Sequence, residues 1–191
     1  MKKILTATVV YLTIITVHAQ TFFKDTNEKY GLKDDDDAVI FAGRYDEGFL
    51  FTEGLAPVKL NGKWGFIDAT GAEVITPQFD AVSEYFSEGL VAVCQSDRWG
   101  YIDLSGNVVI PQRYEFAGPF SEGLAVVNPS GSDWEFIDHE GIPVIPMVKL
   151  HVDETYYMGV RFYNGRIHVV QSSEEGEDRE FYIDKKGKEI N

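Results

Sequence analysis

Carboxylates are the reactive side chains that recur at fixed spacing in this chain. Glu53, Glu88 and Glu122 each stand directly before a glycine, and Asp68, Asp103, Asp138 and Asp184 each stand three residues before one. Two opposed carboxylates are what glycoside hydrolysis requires, so the glutamates are the first candidates for chemistry. Their recurrence argues against it. A catalytic pair breaks repeat symmetry, whereas these acids stand beside the same glycine in every copy, as turn and surface residues do. The run Asp34-Asp35-Asp36-Asp37 offers oxygens to a hard cation such as calcium, yet it lacks the spaced ligands and turn glycine of a dedicated loop, and reads better as a solvated turn.

The remaining reactive groups are sparse. His139, His151 and His168 show no His-Glu-x-x-His spacing, and no Gly-x-Ser-x-Gly elbow, phosphate loop or dinucleotide fingerprint occurs. Cys94 is the only cysteine. It has no intramolecular disulfide partner and follows the apolar run Leu90 to Val93, as a small strand residue would. No catalytic residue, cofactor site or metal site is therefore expected.

The elements that carry these acids repeat. Trp64-Gly65-Phe66-Ile67-Asp68, Trp99-Gly100-Tyr101-Ile102-Asp103 and Trp134-Glu135-Phe136-Ile137-Asp138 align with 35 residues between successive tryptophans. A second block, Phe51-Thr52-Glu53-Gly54-Leu55, recurs at Phe86 to Leu90 and Phe120 to Leu124, and a third, Val74-Ile75-Thr76-Pro77, recurs at Val109-Ile110-Pro111. Three blocks agreeing on one period define tandem units. Aromatic and β-branched runs broken by Gly and Asp predict an all-β fold, with about three short strands per unit.

Each motif position has a physical role. Asp68 with Gly71, Asp103 with Gly106 and Asp138 with Gly141 predict a hairpin turn in which the carboxylate binds the turn's own amides. Gly65 and Gly100 predict close backbone approach behind Trp64 and Trp99. In the copy of Trp134, Glu135 breaks that rule, so it should point to solvent or its copy should pack more loosely. Pro77, Pro111 and Pro146 should lie at strand starts, bulges or unpaired edges.

The chain resembles the WG-repeat family, also called KWG repeats. The likeness rests on Lys63-Trp64-Gly65-Phe66-Ile67-Asp68 with its downstream Gly, Val-Ile and Glu-Gly-Leu elements, and is strongest from Phe51 to Ile145. It implies an all-β repeat with a ligand- or protein-binding role and no shared catalytic residues. The expected architecture is an open, twisted β array with copies near 30–58, 63–93, 98–127 and 133–170 and a partial copy at 180–191. A closed propeller is the alternative.

Residues 1–19 read as a signal peptide, with Lys2 and Lys3 before an apolar run and the small-residue site Val17-His18-Ala19. This predicts export to the periplasm or beyond, with no membrane span after cleavage. The formal charge is −14, which disfavours nucleic acid and anionic membranes as partners. An unidentified protein or glycan partner is expected; a hydrolase and a purely structural envelope protein are the alternatives. The longer interval after Ile145 breaks the period; its Tyr156, Tyr157, Phe162, Tyr163 and Arg166 form a candidate ligand face, with a longer loop carrying ordinary strand aromatics as the favoured alternative.

Overall fold

The computed structural model describes residues 20–130, 134–148, 161–172 and 178–190. The predicted signal peptide, Tyr156 and Tyr157 lie outside them. Among the described residues all regular structure is β, in five antiparallel sheets in chain order. Sheet 1 holds β1 (Thr21–Lys24), β2 (Tyr30–Lys33) and β3 (Val39–Tyr45). Sheet 2 holds β4 (Glu47–Gly48), β5 (Leu55–Leu60), β6 (Lys63–Asp68) and β7 (Glu73–Phe79). Sheet 3 holds β8 (Ala81–Val82), β9 (Leu90–Gln95), β10 (Arg98–Asp103) and β11 (Val108–Tyr114). Sheet 4 holds β12 (Phe116–Ala117), β13 (Ala125–Asn128), β14 (Trp134–Ile137) and β15 (Pro143–Val148). Sheet 5 holds β16 (Arg166–Ser172), β17 (Asp178–Asp184) and β18 (Glu189–Ile190). No described strand of sheet 1 is bonded to one of sheet 5, so the series is an open tandem array.

Two features differ from the sequence expectation. The inner sheets are four-stranded, because a two-residue strand opens each of them. The fold is also cut at another phase: the strand after Glu-Gly pairs with the Trp-Gly strand that follows it, as in Leu55↔Asp68 and Lys59↔Trp64.

Burial of the faces between successive sheets holds the array together. Leu55, Trp64, Phe66, Ile75 and Phe79 of sheet 2 pack on Phe86, Val91, Val93 and Ile102 of the next unit. Leu90, Ala92, Tyr101, Ile110 and Tyr114 then pack on Ala117, Phe120, Ala125, Val127 and Ile137. Each inner sheet thus has one face toward its predecessor and one toward its successor, and each buried aromatic removes on the order of 150–250 Å² from water. Trp64 and Trp134 are buried in these joints, against Phe49 and Phe116, and Trp99 is partly buried.

The glycine after the aromatic is a steric requirement. A Cβ on Gly65 would lie 2.4 Å from the Ile75 carbonyl oxygen, and one on Gly100 2.4 Å from that of Ile110. The cause is a bulge. Between the pairs Trp64↔Phe79 and Phe66↔Ile75, β7 spends two more residues than β6 and curls its Thr76-Pro77-Gln78 backbone over Gly65. Glu135, half-buried, is accommodated because its bulge is shorter. The pairs Trp134↔Val148 and Phe136↔Ile145 leave β15 only one extra residue. Pro77 and Pro111 sit in these bulges on the outer strand of each sheet, where their missing N–H breaks no ladder.

Candidate functional site

Most candidate chemistry is consumed by the fold. Oδ1 of Asp68 accepts from the amides of Thr70 and Ala72, at 2.9 and 3.1 Å. Asp103, Asp138 and Asp184 repeat the pattern. The acidic run is the same turn in sheet 1. Asp34 accepts from Asp36 and Ala38, while Asp37 takes the position of the turn glycine at φ 62° and pairs with Lys33. Each turn seats its glycine on the outer strand of the preceding sheet, Gly106 on Ile75 and Gly141 on Ile110.

Hydrogen bonding holds several of these carboxyls below the ordinary value of 3.8. The donors are the Thr70 side chain for Asp68, the Asn107 side chain for Asp103, and the Lys188 amide for Asp184. A depressed folded-state pKa contributes stability that is present above the unfolded value and lost as pH falls through the folded one. The urea midpoint should therefore hold from about pH 7 to about pH 5 and decline below about pH 4. The variant Asp68→Asn/Asp103→Asn/Asp184→Asn keeps the acceptor oxygens without the proton site, and its acid decline should be shallower. Equal declines would show that these turns do not set the acid limit.

The recurring glutamates form a ladder between copies. Glu53-Gly54, Glu88-Gly89, Glu122-Gly123 and Asn164-Gly165 are two-residue hairpin turns with positive φ at both positions, from 50° to 55° at the first. Asparagine and glycine take that conformation readily, and glutamate at a cost of about 1 kcal/mol. The carboxylate has its compensation in the next copy. Glu53 accepts from the Gly89 amide at 2.9 Å, Glu88 from Gly123 at 3.0 Å and Glu122 from Gly165 at 2.9 Å. A hydroxyl rung runs beside it. The Phe86 amide donates to Thr52 Oγ1, and the hydroxyls of Ser87 and Ser121 donate to the carbonyls of Phe120 and Phe162. Lys185 reinforces the last rung, its Nζ donating to the Glu122 carbonyl at 3.2 Å, while the His139 ring stacks on Phe120 with Nε2 3.0 Å from Glu88.

Other motif positions are equally committed. In the first three copies the cation before the aromatic pairs with the acid that follows the bulge, Lys29 with Asp46, Lys63 with Asp80 and Arg98 with Glu115. Cys94 is buried on β9, and desolvation pushes its thiol pKa up, away from the reactive thiolate. Among the described residues, no three His, Cys, Asp or Glu side chains gather as a metal site.

The candidate ligand face is divided by the structure. Phe162 is buried and belongs to the joint with sheet 4, edge-on to Phe136 at 5.5 Å. It is a core residue, because it holds the repeat position of Phe86 and Phe120 at the foot of the ladder, and it cannot contact a ligand. Tyr163 is 73% exposed, and Arg166 lies exposed with its guanidinium 4.9 Å over the ring of Tyr182.

A second exposed feature was not anticipated. Val74, Val109 and Val144 hold one register position on the outer strands of sheets 2, 3 and 4, and are 42%, 41% and 42% exposed. Ile142, also exposed, follows Gly141, which sits on Ile110 beside Val109. Near it a shallow concavity of about 440 Å³ is lined by Arg113, Tyr114, Pro129, Glu135, Ile142 and Pro143. The signal was legible, since the Val-Ile pair recurs and alternation on a strand lets only one of the two face the core.

The fold and its ladder define a class: an all-β tandem array whose copies are joined by identical turns, with no helix among the described residues long and apolar enough to cross a membrane. The profile of the WG containing repeat matches residues 30–64, 64–99 and 99–128, and the chain belongs to that family. No curated protein matches it. Among solved structures, a eukaryotic initiation factor is similar with a TM-score of 0.53 at 12% identity, over 92% of this chain and 52% of that one. BamB from Moraxella catarrhalis gives 0.47 at 9% identity, over 90% of this chain and 57% of that one. The computationally designed Ika4 protein gives 0.41 at 14% identity, over 70% of this chain and 88% of that one.

Proposed function

We propose that this chain is a non-catalytic, exported binding module that holds a protein partner along its outer strands. The row Val74, Val109 and Val144 carries the reading. An apolar side chain is offered to solvent at one register position in each of the three inner sheets, and periodic exposure of this kind suits an extended protein partner. The commitment of the recurring carboxylates to turns and rungs favours binding over hydrolysis. Export is supported by the position of β1, which begins at Thr21, one residue beyond the position that cleavage after Ala19 would leave first.

The experiment uses protein recovered from the exported fraction, whose N-terminus should be Gln20 by mass spectrometry. Immobilised wild-type protein and the variant Val74→Lys/Val109→Lys/Val144→Lys are compared for saturable retention of a protein from envelope extract. The same preparation is assayed for turnover on glycan and ester panels. Retention lost in the variant, without turnover, is the expected outcome. Equal retention by both proteins, turnover of a substrate, or an intact Met1 would overturn the corresponding part of the reading.

A further inference from the structure

The last sheet keeps a face that every earlier sheet buries. In sheet 4 the face toward its successor carries Leu124, Val126, Trp134, Phe136 and Ile145, all buried. The pairings Phe136↔Ile145 and Tyr182↔Ile190 fix the equivalents in sheet 5 as Arg166, His168, Glu180, Tyr182 and Ile190. The substitutions do more than make the face polar. Arg166 lies over Tyr182, the His168 ring is 5.1 Å from the same ring, and His168 Nε2 is 3.4 Å from Glu180, whose side chain remains 67% exposed. Tyr182 and His168 face each other at the centre, with the Arg166 cation toward one end of the strand pair and the Glu180 anion toward the other.

We propose that this face is the contact of a two-fold dimer, occupied by the same face of a second copy. Continuity is the first argument, since each inner joint fills this face with another β-sheet. Charge is the second. A two-fold axis at Tyr182, lying in the plane of contact and perpendicular to the strands, reverses them and sets Arg166 of each copy toward Glu180 of the other, and isologous contacts require such self-complementarity. The ladder supplies the third. At its last rung, Tyr163 and Asn164 stand where Ser121 and Glu122 stand one copy earlier. A head-to-tail copy would find neither the short serine hydroxyl nor the reaching carboxylate, so end-to-end growth is disfavoured and a closed pair is favoured. The proposal is independent of the valine row.

A partly charged, single-sheet contact of this kind is expected to have a dissociation constant on the order of 10–100 μM. Sedimentation equilibrium of the exported chain at physiological salt should show a monomer–dimer equilibrium with no larger species. Arg166→Glu and Glu180→Arg should each weaken it at least tenfold, and the double charge swap should restore it. Circular dichroism checks that each variant keeps its β signal. Should Arg166→Glu disturb the last sheet, Glu180→Arg and Tyr182→Lys carry the same test. A monomer up to about 1 mM, an open-ended series of oligomers, or a dimer unmoved by either charge reversal would overturn the proposal.

Discussion

Gly65→Ala is expected to cost about 3 kcal/mol or more of unfolding free energy, read as a lower urea midpoint at unchanged slope. The added Cβ would stand 2.4 Å from the Ile75 carbonyl oxygen and 2.6 Å from the Pro77 nitrogen, and both are backbone atoms. Neither can swing aside as a side chain can, so the bulge must open or the pairing of β6 with β7 must slip. The control is Glu135→Ala in the copy with the shorter bulge, which should stay within about 0.5 kcal/mol of wild type. A Gly65→Ala variant as stable as the control would refute the link between bulge length and the residue behind the tryptophan.

Phe136→Ala should cost about 3–5 kcal/mol, as truncation of a fully buried phenylalanine does. It should also change the form of unfolding. Phe136 faces Phe162, Ile167, Val169 and Ile183 across the joint between sheets 4 and 5, and a tandem array is stabilised chiefly by such nearest-neighbour contacts. Removing the ring weakens one joint and leaves the others intact. Native-state hydrogen exchange should show amides of β16 and β17 exchanging well before those of β9 and β10. Uniform acceleration across all sheets would mean that the array unfolds as one unit.

Much of this was legible in the sequence, for reasons that can be stated residue by residue. Asp68 and Gly71 announce their turn because the chemistry is local, four residues binding one another. Gly65 announces a close approach because little else calls for a glycine inside an apolar strand. Strand β1 was not legible. Thr21 to Lys24 has no tryptophan and no Glu-Gly step before it, and its identity comes only from pairing with β2. The two-residue opening strands are too short to carry a periodic pattern. The ladder was hidden for another reason: recurrence of Glu53, Glu88 and Glu122 shows that each copy needs the acid, but not that the next copy supplies the donor. Of the candidate ligand face, Phe162 is core like Phe86 and Phe120, because Phe162 to Arg166 repeats the Phe-Ser-Glu-Gly-Leu block and its ring fills the same joint.

The ladder also has a direction, and direction lets a sequence state its own length. A copy inserted between two existing ones meets a carboxylate from behind and offers one ahead, so internal duplication needs no change at the seam. A further rung of the same kind would need a short hydroxyl and a long carboxylate where Tyr163 and Asn164 stand. Asparagine adopts the left-handed turn without strain, and in doing so it gives up the reach that would summon another copy.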